Sequence, residues 1–422
     1  MAGENTTGTL NGFFKTRYAK KLRDVVPRGT ILQRDIPFVG ESERSGGSYH
    51  EPVLLSHEHG FTYAPSGTDA FALDAATAGQ VSPATILGAQ MVLRSRIGYE
   101  AAARASKSER AFGRALDVVV KNMWLSNQRR LEIDLFAGNT PVFTLATISG
   151  ADGTPSVQNW AAGYAAGMET ARVDVFDSTG TPIHHSTTIS SVDIDTRVIT
   201  FGATLSSAAN NDLMYFDSQA VAGTPETHNT MLGLDKIATT TTGNLFGIST
   251  SNSLWKASSY SVTNALTFEK VNKAVVQAIN RGLDEDICLY VNPNTWADLL
   301  AGDAIPASSS GDGETKYRRH PTAGGTYKVG ATGIEYYSQS GTILIKPSIY
   351  VRQGDGFLLS PSLFKRIGAS DITFELPDKA GYGEFFLHIP DTAGYELRTY
   401  SNQALFTAEP AKLVKLTGIT PG

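Results

Sequence analysis

The chain has 422 residues, 41% of them hydrophobic, enough to bury a substantial core divided over two or three domains. Only 18% are charged and the formal net charge is −5, which argues against a free nucleic-acid binder, normally basic overall. The 41 Gly and 18 Pro favour β structure with many turns, the single Cys288 can form no intrachain disulfide, and there is neither a membrane-spanning apolar run nor the apolar core of a signal peptide, so a soluble protein of the reducing cytosol is expected.

Residues 1–34 carry seven Lys or Arg against two Asp or Glu. Within them Asn11 to Val26 is predicted to be a short amphipathic segment with Phe14, Tyr18, Leu22 and Val25 on one stripe, halted by Pro27. Such an arm docks its apolar stripe on its own or a neighbouring subunit and keeps a solvated basic face. Contact of Lys15, Lys20, Lys21 and Arg23 with a polyanion is the sharper alternative.

Residues 38–80 lack helical period. GFTYAPSGTDAFAL within them predicts a hairpin that pairs Phe61 and Tyr63 with Phe71 and Leu73 across a Pro65-Ser66-Gly67 turn. Too few apolar residues flank it to bury both faces, so it should project and find cover elsewhere. Ser82-Pro83 is then predicted to open a helix running to about Ala105, with Ile86, Met91, Ile97 and Ala101 among its apolar residues.

Ser106 to Asn139 reads as one long helix. Ser106 and Glu109 have the spacing of a capping box, and Gly138 followed by Pro141 is a stop signal. Phe112, Leu116, Val119, Met123, Leu131 and Leu135 form the packed side, while Arg110, Arg114, Asp117, Lys121 and Gln128 keep to a wet one. At 1.5 Å per residue the rod is about 45 Å long.

Residues 142–228 read as a run of strands, with VDVF, TTISSVDI and VITF separated by Asp177-Ser178-Thr179-Gly180 and Asp195-Thr196-Arg197. Thr267 to Arg281 returns to helix, with Gly282 as terminator, followed by the strand ICLYV and a short helix from Asn292-Pro293 through Thr295 to Leu300. Residues 302–330 form an exposed polar loop containing Tyr317-Arg318-Arg319-His320, either a solvated or intersubunit loop or an anion contact. Strands resume at IEYYSQ, TILIKPSIYV and GFLLSP and close with ITFEL, EFFLHI and YELRTY.

Catalytic signatures are missing: there is no nucleophile elbow, Walker loop, zinc-protease helix or dinucleotide fingerprint, so no enzyme and no cofactor is expected. His57-Glu58-His59 could place two imidazoles on one side of a strand, but a plain surface strand is the better reading, and no metal is expected. His184-His185 are expected to be solvated, and Cys288, inside an apolar strand, to be inert packing.

The order of parts, with ITFELPDKAGYGEFF, the YELRTYSNQALFTAEPAKLVKLTGI ending, LFGISTSNSLWK and LTFEKVNKAVVQAINRGLDEDICLYVNPNTWADLL, resembles the major capsid protein of tailed bacteriophages, the Hong Kong 97-like α+β fold. The resemblance implies an N-terminal arm over 1–37 and an extended hairpin loop over 38–80. It implies a peripheral domain over 81–230 and 363–405, with a spine helix over 106–138 and extra strands at 142–228. An axial domain would occupy 231–362 and 406–422. Copies would assemble as hexamers and pentamers into an icosahedral shell around double-stranded DNA, held non-specifically on its inner face. Assembly would take place in the host bacterial cytoplasm, with a portal protein, a separate scaffolding protein and a decoration protein as partners and no membrane. Phe14, Tyr18, Leu22, Phe61, Tyr63, Phe71, Leu73, Arg318 and Arg319 would lie between subunits, and Lys15, Lys20, Lys21 and Arg23 would face DNA or scaffold. Two other readings stay open: an encapsulin-like shell around protein cargo, and a β-rich adhesin or hydrolase.

Overall fold

The computed structural model describes residues 29–40, 48–98, 109–221, 228–302, 334–338, 341–375, 386–388 and 394–420. The long helix spans Glu109–Ala137, about 44 Å at 1.5 Å per residue. Its expected cap at Ser106 lies outside the described residues. The stop falls where the sequence places it, but Asn139 and not Gly138 takes the left-handed conformation, at φ 62°. Gly138 serves close approach instead: a Cβ there would lie 2.3 Å from Asp134 O and 2.4 Å from Met231 O.

In mid-helix the expected two-sidedness holds, since Lys121, Asn122, Trp124 and Ser126 are exposed while Met123 and Asn127 are buried. From Leu131 to Ala137 every residue is buried, so the wet face ends there. Val119 is only half-buried. The buried end carries polar side chains, and Asn127, Arg129, Glu132 and Asp134 each bond a different part of the chain. Asn127 Nδ2 donates to Thr399 Oγ1 at 2.8 Å, and Arg129 Nη2 donates to the carbonyls of Gly163, at 2.8 Å, and Ala166. Glu132 accepts from the backbone of residues 31–33, and Asp134 Oδ1 accepts from Gln219 Nε2 at 3.0 Å.

Across this helix lies a sheet centred on the strand Gly394–Thr407, which pairs antiparallel with Ala89–Gly98, with Phe364–Thr373 and with Phe386–His388. Phe38–Gly40 adds parallel to residues 366–368. The helix predicted from Ser82 to Ala105 is therefore wrong over its described part, which is the strands Gln80–Ile86 and Ala89–Gly98. Met91, Leu93, Ser95 and Ile97 are half-buried while Gln90, Val92, Arg94 and Arg96 are exposed. That is the period-two alternation of a strand, to which Met91 and Ile97 both conform.

Residues 142–221 close on themselves. The strands Phe143–Ser149, Asp152–Pro155, Arg172–Phe176, Ile183–Val192, Ile199–Phe201 and Asp212–Phe216 form a closed barrel whose ladder joins the first to the last. Closure removes the free edges that a six-strand run would otherwise expose. The turns use the predicted residues: Thr179 N–H donates to Asp177 Oδ1 at 2.7 Å, and Gly180 and Arg197 have φ of 75° and 64°.

A second core lies around a six-stranded sheet of Ser258–Ser261, Val414–Thr417, Gly356–Leu359, Ile287–Val291, Gly341–Pro347 and Ile334–Ser338. The helix Phe268–Ile279 packs Val271, Ala274, Val275 and Ala278 into it, and Thr267 caps its start by accepting from Lys270 N–H. A further helix of this unit is Pro293–Gly302.

Replacing Leu135, fully buried at the enclosed end of the long helix, by Ala is expected to lower the unfolding free energy by about 2–5 kcal/mol, whereas Val119→Ala is expected to cost clearly less. Denaturant midpoints of the two variants check the order; equal losses would mean that the helix is packed alike along its length.

Candidate assembly surfaces

The hairpin ladder is Tyr49–Ser56 against Gln80–Ile86, and the predicted strand pairing of Phe61 and Tyr63 with Phe71 and Leu73 is absent. Beyond Ser56 the ladder gives way to isolated hydrogen bonds, His59 N–H to Thr77 O at 3.1 Å and Asp74 N–H to Thr62 Oγ1 at 2.8 Å. The predicted turn is present, with Thr68 N–H donating to Pro65 O at 3.2 Å and Gly67 at φ 91°. An isolated two-stranded ribbon with no face to bury is marginal, which explains why the ladder stops where the ribbon leaves the body. Phe61 is 68% exposed, Tyr63 89%, Phe71 50% and Leu73 79%. Four large apolar side chains on one projection form a surface built for burial elsewhere.

Of the arm, Phe14, Tyr18, Leu22, Lys15, Lys20, Lys21 and Arg23 lie outside the described residues, as do Arg318 and Arg319 of the basic loop. The root of the arm is described, and it is held firmly. Leu32–Asp35 forms one helical turn whose amides point at Glu132: Oε1 accepts from Ile31 and Leu32 N–H at 2.8 Å each, and Oε2 from Gln33 N–H at 3.1 Å. Asp35 Oδ2 accepts from Tyr290 Oη and Lys346 Nζ, both at 2.7 Å, and Arg366 Nε donates to Ile36 O at 2.8 Å. Leu32 and Ile36 are fully buried. Burial pushes the Glu132 carboxyl up to about 7, against the three amides that favour its charge.

Sequence reasoning missed Glu132, although the run Leu131-Glu132-Ile133-Asp134-Leu135-Phe136 sets two acids among residues too apolar for a solvated face. His184 was misjudged: it sits in the barrel strand and its Nδ1 lies 2.6 Å from Asp212 Oδ2, at one-fifth exposure. His57 and His59 are exposed on irregular backbone and not on a strand, and no metal-binding group of side chains occurs among the described residues. Cys288 is half-buried in its strand, and burial pushes its thiol up. No helix among the described residues is long and apolar enough to cross a membrane.

These features define an α+β protein, and its fold is shared with solved phage capsid proteins, in line with the Hong Kong 97-like resemblance. The cyanophage A-1(L) capsid asymmetric unit is similar to it over 99% of this chain and 100% of that one, at 12% identity and a TM-score of 0.56. The capsid of a native GTA particle matches over 99% and 100% of the two chains at 10% identity and TM-score 0.49. A protein of Mycobacterium phage Bobi matches over 100% of both at 10% identity and TM-score 0.49. No protein-family model and no curated protein matches the sequence.

A carboxyl raised from 4.5 to about 7 on folding makes the native state bind more protons between those values, so its contribution to stability falls as pH rises through that window. Asp134, which burial raises to about 6, acts in the same direction and is common to wild type and variant. Glu132→Gln cannot ionise but sets its amide against Gln33 N–H, a loss that does not depend on pH. The variant is therefore expected to recover about 3 kcal/mol relative to wild type between pH 5 and pH 8, read from urea melts at both pH values. A difference that stays constant would mean that Glu132 is ionised throughout.

Proposed function

We propose that the chain is the major capsid protein of a tailed bacteriophage, a structural protein whose copies assemble as hexamers and pentamers into an icosahedral shell enclosing double-stranded DNA. The observation that carries this reading is a capsid fold shared end to end with the cyanophage A-1(L) unit, combined with a projecting loop whose Phe61, Tyr63, Phe71 and Leu73 stay half exposed or more. A protein that folds alone does not keep four such residues on one projection, whereas a repeating shell gives each copy the same neighbour to bury them.

The separate core around residues 258–299, 343–358 and 414–419 supports an axial domain over 231–362 and 406–422. The helix Glu109–Ala137 supports a peripheral domain over 81–230 and 363–405, and the barrel at 142–221 enlarges that domain. The arm over 1–37 carries Phe14, Tyr18 and Leu22 to a neighbouring subunit, and Lys15, Lys20, Lys21 and Arg23 face the packaged DNA or a separate scaffolding protein. Arg318 and Arg319 sit at subunit contacts. The shell also meets a portal protein and a decoration protein, and it assembles in the cytoplasm of the host.

Subunits in such a shell are joined without covalent bonds. No lysine occurs from Leu22 through Ser106, so the projecting loop carries no amine for an isopeptide linkage, and Cys288 is the one thiol. Negative-stain microscopy of the purified chain, with scaffold supplied, is expected to show closed shells. Boiled in detergent without reductant, those shells are expected to run as a single monomer band. Monodisperse monomer under every assembly condition would refute the capsid reading, and a ladder of higher species would refute the noncovalent lock.

A further inference from the structure

One end of the barrel is spanned by residues 202–211, which join the strands Ile199–Phe201 and Asp212–Phe216. Leu205, 3% exposed, anchors this loop in the apolar core. Backbone bonds hold its two ends: Gly202 N–H donates to Thr188 O and Leu205 N–H to Gly150 O, both at 2.8 Å, and Asn211 N–H donates to Leu145 O at 2.7 Å. The middle, where Ser206, Ser207, Ala209 and Asn210 are exposed, is tied to the barrel by side chains instead. Ser207 N–H donates to His185 Nε2 at 3.0 Å, Ala209 N–H donates to Asp212 Oδ2 at 3.0 Å, and Asn210 Oδ1 accepts from Ile148 N–H at 2.9 Å.

Two of these ties involve neighbouring histidines of the strand Ile183–Val192. Val175 faces His185 and Phe176 faces Ile183, so His184 is the extra residue of a bulge, which re-aims its side chain and lets adjacent rings serve one loop. The two rings are held in opposite ways. His185 Nε2 accepts a backbone N–H, so it carries no proton, and the ring is neutral with its proton on Nδ1. His184 Nδ1 lies 2.6 Å from Asp212 Oδ2, and toward a carboxylate that nitrogen is the donor.

A further proton therefore acts differently on each. On His184 it goes to Nε2, leaves the Nδ1–H in place and makes the bond to Asp212 charge-assisted. On His185 only Nε2 is open, and a proton there sets one N–H against another and abolishes the bond to Ser207. The charged and titratable groups around the rings are Asp212, Arg172 and Asp174 on the facing strand Arg172–Phe176, and Asp177 at its end. Asp174 Oδ1 accepts from Ser186 Oγ at 2.6 Å and Asp177 Oδ1 from Thr179 N–H at 2.7 Å. Residues 202–211 bring no titratable side chain of their own.

We propose that His185 is an acid-released catch for this loop. Uncharged, it holds the middle of the loop through Ser207; protonated, it lets go, while His184 and Asp212 keep the last part of the loop on the barrel. Histidine is the side chain whose ordinary charge change falls between pH 5 and pH 8, so the catch works in a range where the carboxylates around it stay charged. The device lies within one subunit and does not depend on the capsid reading.

Amide exchange of the unassembled chain, resolved by residue in NMR spectra and corrected for the intrinsic rate at each pH, tests it. The neutral fraction of an ordinary histidine falls about tenfold from pH 7.5 to pH 5.5, and Ser207 is expected to lose about that much protection, while Met214 in the barrel strand keeps its own. His185→Gln offers an acceptor that does not titrate, and its Ser207 amide is expected to be equally protected at both pH values. Ring nitrogen shifts of the wild type give a check that needs no variant: His185 is expected to carry its proton on Nδ1 at neutral pH and to gain the second in step with the loss of protection at Ser207. Unchanged protection of wild-type Ser207 would overturn the proposal. So would an equal loss in His185→Gln, which would assign the effect to another group, or a neutral His185 ring protonated on Nε2.

Discussion

The fold depends on the burial of polar groups at one end of one helix. Asn127, Arg129, Glu132 and Asp134 sit where the Glu109–Ala137 helix is enclosed, and a buried polar group without a partner costs about 1–3 kcal/mol, more if charged. Each group therefore fixes something: the long strand through Thr399, the short helix Ala162–Ala165 through the carbonyls of Gly163 and Ala166, the root of the arm, and the end of the barrel through Gln219. Apolar packing alone would hold these parts near the helix without setting their register. Directional bonds from four neighbouring positions set it.

A second polar junction continues this logic toward the other core. Arg352 Nη1 donates to Asp235 Oδ2 at 2.7 Å, Lys415 Nζ to Asp235 Oδ1 at 2.5 Å, and Lys415 lies 3.3 Å from Asp355. Arg352 Nη2 also donates to Pro141 O at 2.5 Å, just past the end of the long helix. Two cations and two carboxylates leave the cluster neutral, which is what allows it to be buried. Burial opposes ionisation of Asp235, yet Arg352 and Lys415 hold its carboxyl below the usual range. The less directly paired Asp355 is pushed up by burial. The two cores are thus joined by charge pairs as well as by contact between apolar faces.

Much of this was legible in the sequence, for a physical reason in each case. The long helix announces itself by 3.6-residue periodicity, the helix at Phe268–Ile279 by its Gly282 stop, and the barrel turns by Asp177, Gly180 and Asp195 between the strands. These signals are local. What failed was decided at long range: Ala89–Gly98 is a strand because Gly394–Thr407, some three hundred residues later, offers a ten-residue edge. Reading it as a helix also scattered Arg94 and Arg96, which the strand puts on one face. The exposed loop residues Phe61, Tyr63, Phe71 and Leu73 were legible as apolar groups without cover, since that judgement needs only composition and length. Barrel closure and the tethering role of Glu132 were not, because both depend on partners that no spacing rule names.

The ribbon that carries the loop also limits how a neighbour can hold it. Thr85 N–H points outward to Phe246 O at 2.8 Å, so His50 and Thr85 form a pair that exchanges no hydrogen bonds within the ribbon. Two residues on, Pro52 opposes Pro83 in the same phase, and their nitrogens face outward on the two edges with no hydrogen to offer. Each edge is interrupted at its middle. A neighbour adding as a further strand would find no donor there, so strand addition is blocked where an exposed ribbon is otherwise most prone to uncontrolled pairing. Capture is left to the faces, and it is there that Leu54 at 56% and Val81 at 63% exposure stand opposite each other, continuing the apolar surface toward the tip. A loop that can be held only by its side chains takes its specificity from their charge and shape, which a sequence can tune without altering the backbone that presents them.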